Sequence, residues 1–264
     1  MPTTPTTRPT AVPPSMLFDL TGRTALVTGA SSGLGRRMAL VLATAGATVA
    51  VTARREHLLD ELATEHPSIV PFVADISVAS EREALAVAVE SRLGPLDVLV
   101  NNAGIADPKP VEQETLEDFI AMIEVNLVAA WHLTKMFGVA MVARGSGSVI
   151  NIASIIGVVG ATPIKQTGYP AAKGGLVNLT REMGVQWARK GVRVNAICPG
   201  WFETDMMGDM LDTESGRNFI ESNTPMIRAG RAEELDGPLL LLASDAGSFM
   251  TGAIVMVDGG WTAR

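Results

Sequence analysis

Thr24-Ala25-Leu26-Val27-Thr28-Gly29-Ala30-Ser31-Ser32-Gly33-Leu34-Gly35 decides how the rest of the chain reads. Its first five residues are apolar or β-branched and read as a buried strand. An amphipathic pattern then opens at Gly33 and runs to Ala45. Between them the glycines permit a tight turn and a close approach of backbone to a ligand, while the helix amino terminus offers free N–H groups and a positive dipole. Strand, glycine turn and helix in this order form a cradle for a pyrophosphate, with Gly29, Ser31, Ser32, Gly33, Leu34 and Gly35 as its candidate contacts.

Outward from this unit the alternation repeats. Strand-like runs occur at Ala47 to Thr52, Ile69 to Ala74, Asp97 to Val100, Ser148 to Ile152, Arg193 to Ile197 and Ala253 to Val257. Helical patterns lie between them at Glu81 to Arg92, Leu116 to Val142, Tyr169 to Arg189 and Ala232 to Ala243, and a polar helix is expected around His57 and His66. Strands with apolar residues on both faces, alternating with helices, imply a parallel sheet covered on both sides. The predicted fold is therefore α/β: a doubly wound parallel sheet of about seven strands in a single domain over residues 16–264, with the ligand crevice at the strands' carboxyl ends. Residues 1–15, rich in Thr and Pro and lacking an apolar core segment, read as a flexible tail and not a signal peptide.

Composition narrows the function. The 264 residues are 47% hydrophobic with a net charge of −7 and a pI near 5.1, which opposes a nucleic-acid footprint. One cysteine, Cys198, and no Cys/His pairs at zinc spacing exclude an internal disulfide, argue against structural zinc, and suit a cytoplasmic protein. Apolar runs such as Leu239 to Ala243 fall far short of the roughly 18 residues of a membrane span, so no membrane partner is expected.

Gly29-Ala30-Ser31-Ser32-Gly33 also fits the nucleophile elbow of hydrolases, with Ser31 as nucleophile. That reading needs a histidine downstream of an acid, and the only histidines are His57, His66 and His132, none in the second half. A dinucleotide fits better. The second strand ends Thr52-Ala53-Arg54-Arg55, with no carboxylate to hold a ribose 2′-hydroxyl. Arg54 could pair with a 2′-phosphate, and Arg55 could add charge or start a solvated helix, so NADP(H) is expected over NAD(H).

Tyr169 is the only tyrosine, and Lys173 follows it by four residues. On a helix the two share a face, and the ammonium is expected to lower the phenol's ordinary pKa of about 10, giving an acid/base.

Together with Asn101-Asn102-Ala103-Gly104, Asn126 and Ser154, these motifs make residues 17–264 resemble the short-chain dehydrogenase/reductase family. The resemblance implies a catalytic set of Asn126, Ser154, Tyr169 and Lys173. Ser154 would bond the substrate carbonyl, Asn126 would hold a helix kink and a proton-relay water, and Lys173 would bind the nicotinamide ribose. It further implies adenine contacts at Asp75 and Ile76, a cofactor turn at Asn102, Ala103 and Gly104, and a nicotinamide cover at Pro199, Gly200 and Thr204. For Asp75 a helix N-cap is the structural alternative. Similarity to 3-oxoacyl-carrier-protein reductases and gluconate or deoxygluconate dehydrogenases implies a homotetramer acting on a small carbonyl or alcohol. A non-catalytic NADP(H) sensor and a sugar epimerase or dehydratase are the weaker alternatives.

Two segments should wall the substrate pocket, Ile155 to Lys165 and Trp201 to Asn223, with Ile156, Trp201, Met206 and Met207 as candidate contacts. Their apolar side chains suit an apolar carbonyl such as a 3-oxoacyl thioester, although Met206, Met207 and Met210 could equally form a buried helix face. Gln166, Lys109 and Lys165 leave room for a sugar or sugar acid. Gln166 precedes Tyr169 by three residues and is expected on the same side of its helix, or else in a helix-entry hydrogen bond.

Overall fold

All seven expected strands form, within two residues of their expected ends, because each carries apolar side chains for both faces of a covered sheet. They are β1 (Thr24–Thr28), β2 (Thr48–Ala53), β3 (Ile69–Val73), β4 (Val98–Asn101), β5 (Gly147–Ile152), β6 (Val192–Pro199) and β7 (Ile254–Val257). The structure is a computed structural model describing residue 13 and residues 16–160, 163–204 and 212–264. Apart from Pro13, the expected tail lies outside the described residues.

The sheet order is β3-β2-β1-β4-β5-β6-β7, and every neighbouring pair is parallel. The winding reverses between β1 and β4, which places a crevice beyond their carboxyl ends. Alternation divides the core. Ala25 and Val27 of β1 join Met38 and Leu42 of α1 (Gly33–Thr44) and Leu239 and Leu242 of a late helix on one face. Leu26 faces the other way, with Leu99, Val149, Phe137 and Met183.

Along the chain follow α2 (Glu56–Glu65), α3 (Ala79–Leu93), α4 (Leu116–Ile123), α5 (Ala129–Arg144), α6 (Gly168–Ala188), α7 (Glu214–Asn223) and α8 (Asp236–Ala243). The pattern read as one helix from Leu116 to Val142 is two helices joined by a π-turn at Glu124–Val128, where the N–H of Ala129 bonds Glu124 O, five residues back. The whole rod, Leu116–Arg144, is long and apolar enough to cross a membrane by length and composition, with mean hydropathy 1.3 over an 18-residue window. Its inward residues Leu133, Phe137 and Met141 are buried in the core of the sheet's second face.

Helix α7 lies in a segment read only as pocket wall. Its sequence carries only Phe219 and Ile220 as large apolar residues, too few for a periodic signal, and its start is fixed by Thr213, whose hydroxyl accepts from Gly216 N at 3.2 Å. Between the strands and the outer helices one buried charge cluster stands out. Arg82 of α3 is 3% exposed and donates through Nη1 to Glu124 Oε1 at 2.7 Å and through Nε to His132 Nδ1 at 3.1 Å. The same Nη1 reaches Ile76 O, so the turn after β3 is tied to the π-turn.

Candidate active site

The glycine loop has the geometry its sequence implies. Gly29 and Gly33 sit at φ 67° and 53°, left-handed conformations that favour glycine. At Gly35 an added Cβ would lie 2.3 Å from Gly29 O and 2.4 Å from Asn102 Nδ2, so the third glycine lets helix and turn close. A Cβ at Gly33 would meet nothing nearer than the Thr204 side chain at 3.7 Å, which leaves the loop open toward the cleft. No acidic residue occupies the first turn of α1. An open glycine cradle at a helix amino terminus free of carboxylates fits the pyrophosphate of a dinucleotide.

Thr28 clamps the next motif to this loop. Its Oγ1 accepts from Asn102 N and Ala103 N, both at 3.0 Å, while Asn102 Nδ2 donates to Thr28 O at 2.9 Å. Ala103 packs on Gly29, where a Cβ would approach Ala103 Cα to 2.7 Å, so it supports the loop from behind while Asn102 and Gly104 line the cleft.

The resemblance's four catalytic positions converge. Ser154 follows β5 and Tyr169 and Lys173 stand on α6, all in the wall of one cleft of about 430 Å³ that also contains Gly29, Gly33 and Gly35. Asn126 lies behind it, 1% exposed, at the middle of the π-turn. Its Nδ2 donates to Met122 O and Ile105 O, both at 3.0 Å, and its Oδ1 accepts from Ile105 N at 3.2 Å. The side chain thus holds both the π-turn and the strand of chain leaving Gly104. Lys173 Nζ donates to Ile152 O at 2.8 Å and sits 5.6 Å from the Tyr169 ring centroid. The amino terminus of α6 is fastened by Glu114, which accepts from Gly168 N at 2.9 Å and from the Thr167 hydroxyl.

Electrostatics here differ from the expectation. Burial pushes the Tyr169 phenol up to about 12, and the hydrogen-bonded Ser154 side chain only partly opposes it. Burial also pulls the Lys173 ammonium down to about 8. The expected lowering of the phenol by Lys173 is therefore corrected: burial and the Cys198 thiol raise it, and the hydrogen bond with Ser154, not the neighbouring cation, is what opposes them. At neutral pH the phenol is held as a proton donor beside a still largely protonated lysine.

The adenosine end lies beyond the cleft. Partial burial acts to raise the Asp75 carboxyl, but hydrogen bonds from Ser77 N and Oγ and the charge of Arg54 hold it below the usual carboxylate range. Asp75 makes this turn three residues before Val78, the N-cap of α3, so the N-cap alternative is corrected. The two arginines take separate partners. Arg55 stands at the N-cap of α2 and its Nη2 turns back to Ser31 Oγ and Ser32 Oγ. Ser31 is engaged in this way by a guanidinium, while His132 accepts from Arg82 and His66 from Ser68 N.

Ser32, Leu34, Ser154, Ile156, Gln166, Trp201, Pro199, Gly200 and Thr204 all line the cleft as expected. Ser31, Arg54, Arg55, Asp75, Ile76 and Ala103 do not, and Met206, Met207 and Met210 lie outside the described residues. Gln166 reaches the cleft without sharing Tyr169's helix, since α6 begins at Gly168. It makes no helix-entry bond either: its Oε1 is buried without a partner. Sequence reasoning missed Ala106 and Pro108, wall residues on the loop after Gly104, and the support of Trp201. That indole meets Trp261 edge-on at 5.5 Å and Phe219 at 6.0 Å, in one cluster with Ile155, Ile156 and Tyr169. No local signal pairs residues 201 and 261; only the proximity of the ends of β6 and β7 does.

Comparison with known proteins agrees with this geometry. The family model described as enoyl-(acyl carrier protein) reductase matches residues 29–262. A galactitol 2-dehydrogenase (L-tagatose-forming) from Cereibacter sphaeroides is 38% identical over 251 residues, covering 93% of this chain and 97% of that protein. A short-chain type dehydrogenase/reductase from Mycobacterium marinum superposes with a TM-score of 0.90 at 35% identity, over 94% of this chain and 99% of the other. A gluconate 5-dehydrogenase from Burkholderia cenocepacia, solved in complex with NADP and tartrate, does so with a TM-score of 0.90 at 33% identity, over 95% and 99%.

Proposed function

The chain belongs to the short-chain dehydrogenase/reductase family, and on that premise we propose that it interconverts a ketone and a secondary alcohol with NADP(H), using Tyr169 as acid or base. The observation that carries the reading is the convergence of Ser154, Tyr169 and Lys173 with the glycine loop on one cleft.

Residues of the loop from Gly29 to Gly35 would hold the pyrophosphate, Asp75 and Ile76 the adenine, Lys173 the nicotinamide ribose, and Thr204, facing Gly33, the nicotinamide end. When bound, the nicotinamide supplies or takes up a hydride. Tyr169 gives its proton to the carbonyl oxygen in reduction and recovers it from the alcohol in oxidation, while Ser154 donates a hydrogen bond to the same oxygen. Lys173, held by Ile152 O, keeps a positive charge beneath the phenol. Asn126 fixes the π-turn and Ile105, and would hold a relay water leading from Lys173 to solvent.

The NADP(H) preference rests on Arg54 beside Asp75 and on Arg55 over the loop serines, a cationic end that suits a 2′-phosphate. The walls formed by Ile155, Ile156, Ile164 and Trp201 favour a substrate with an apolar body. The relatives named for galactitol and gluconate favour a sugar or sugar acid as the second reading. A cytoplasmic homotetramer completes the proposal. Leu116, Ile120, Trp131 and Val139 on α4 and α5 are exposed apolar residues available to an interface, and light scattering tests it.

The experiment is absorbance at 340 nm with NADPH and with NADH against 3-oxoacyl thioesters, diketones, keto sugars and keto acids. NADPH oxidation that is lost in Tyr169→Phe supports the reading. Tight NADPH binding with no turnover across the panel favours a sensor.

A further inference from the structure

The substrate end of the cleft is built from Ala106, Pro108, Ile155, Ile156, Ile164 and Trp201, with polar groups supplied by Ser154, Gln166, Tyr169 and the Trp201 indole N–H, which is buried without a partner. Among the described residues, its only charged lining side chain is Lys173, and that ammonium is already bonded to Ile152 O at 2.8 Å. The other cations nearby are committed or remote. Lys109 pairs with Asp107 at 2.7 Å and Asp118 at 3.0 Å, Lys165 is exposed and outside the lining, and Arg228, behind Trp201, is paired with Glu234 at 2.6 Å. The stretches Ala161-Thr162 and Asp205 to Leu211 contain no Lys or Arg, and the second contains two aspartates. A carboxylate entering this space would lose its hydration and find no cation of its own to pair with, since the one lining charge, Lys173, already serves the phenol and is proposed to hold the nicotinamide ribose, and that is costly.

Gln166 carries the complementary observation. Its carboxamide oxygen is buried and bonds nothing in the protein, although a glutamine oxygen can accept two hydrogen bonds. The helix-entry N–H that could have satisfied it, at Gly168, is taken by Glu114. An unpaired acceptor in a ligand cleft asks for a donor on the ligand, and a hydroxyl supplies one while remaining neutral. Sites that bond a substrate hydroxyl reject the analogue lacking it far more strongly than apolar walls discriminate shape.

Resting on the oxidoreductase reading above, we propose that the substrate is uncharged and carries, besides the reacting carbonyl or carbinol, a second hydroxyl that Gln166 receives. The site thereby selects neutral hydroxyketones and polyols against their carboxylate counterparts.

Two matched pairs test this in the intact enzyme: 4-hydroxy-2-butanone against acetoacetate with NADPH, and glucitol against gluconate with NADP⁺. Each pair keeps the carbon chain and exchanges a terminal hydroxymethyl for a carboxylate. The neutral member is expected to have at least tenfold higher kcat/KM, and Gln166→Leu is expected to cut the ratio of kcat/KM for 4-hydroxy-2-butanone over 2-butanone at least tenfold. A carboxylate preferred in either pair, or a ratio unmoved by Gln166→Leu, overturns the proposal while leaving the oxidoreductase reading intact. No turnover of any of the five compounds, with activity on a thioester or diketone of the wider panel, overturns this proposal alone; silence on that panel too overturns the oxidoreductase reading, and this proposal falls with it.

Discussion

Arg55 Nη2 donates to Ser31 Oγ at 2.9 Å and to Ser32 Oγ at 3.0 Å, so a residue after β2 braces the loop after β1. Arg55, expected either to add charge here or to start a solvated helix, does stand at the N-cap of α2 and also adds its guanidinium to the loop's polar surface. Arg54 faces Asp75 instead.

Removing either arginine should therefore weaken the discrimination between the two nicotinamide cofactors. Charge-assisted bonds to a phosphate contribute roughly 1.5–3 kcal/mol, so Arg54→Ala and Arg55→Ala are each expected to lower kcat/KM for NADPH by about 10- to 100-fold and that for NADH far less. Steady-state kinetics with both cofactors check this. An unchanged NADPH-to-NADH ratio in both variants would overturn the assignment.

Tyr169→Phe is expected to lower turnover by at least about a thousandfold while NADPH still binds, because only the proton donor is removed. Fluorescence titration and single-turnover kinetics separate the two effects. Residual turnover within tenfold of the unmodified protein would contradict the role.

The two shifted ionisations set opposite pH trends for the two directions. Reduction needs the phenol protonated and the ammonium charged, so its kcat/KM should be flat through neutrality and fall above about 8, where Lys173 loses its proton. Oxidation needs the phenolate, whose population grows about tenfold per pH unit below a value near 12. Its rate should climb up to about 8 and level off above, where the loss of the Lys173 proton offsets the growing phenolate. Profiles that share one optimum at neutral pH would count against this.

Arg82→Met should destabilise the fold by about 2–4 kcal/mol, since Glu124, His132 and Ile76 O all lose a donor that is 3% exposed. Urea unfolding measures it. Because Ile76 O is one of the three partners, the Michaelis constant for NADPH should also rise more than kcat falls.

Gly35→Ala is expected to abolish dinucleotide binding without unfolding the chain. The new methyl would press on Gly29 O and Asn102 Nδ2, atoms of the loop itself. Calorimetric titration with NADPH and a circular dichroism spectrum together give the answer, and retained affinity would show that the loop can relax.

The strands were readable in the sequence because a sheet covered on both faces demands apolar runs that no loop supplies, as in Val98–Asn101 and Val192–Pro199. The glycine loop was readable because backbone sterics admit few other residues at Gly29 and Gly33. The π-turn left no trace in the apolar pattern of Leu116 to Val142, since one extra residue in a helical turn leaves it nearly intact; only the resemblance, through a kink at Asn126, pointed to it. What reveals it is the side chain of Asn126 reaching Met122 O.

Other parts of the site depend on tertiary neighbours and carry no local signature. Trp261 braces Trp201 only because β6 and β7 are paired. The ionisation of Tyr169 follows from how deeply α6 is covered, which spacing to Lys173 does not encode. Gln166 was correctly placed in the cleft for an incorrect reason, as it lies before the helix that was to aim it.

The sheet order also dictates a timetable. No two neighbouring strands can close as a hairpin, because all are parallel, and β1 must wait for β4. A chain emerging from its amino end can assemble β3-β2-β1-β4 once Asn101 is free, while α6, with Tyr169 and Lys173, is still unmade. During that interval β4 is a bare edge of Val98, Leu99 and Val100, a template for pairing with other chains until β5 covers it. Pulse-labelled hydrogen exchange during refolding should find β1 amides protected before those of β6. The finished enzyme buries this strand at the centre of the sheet, and so the hazard belongs to its birth and not to its working life.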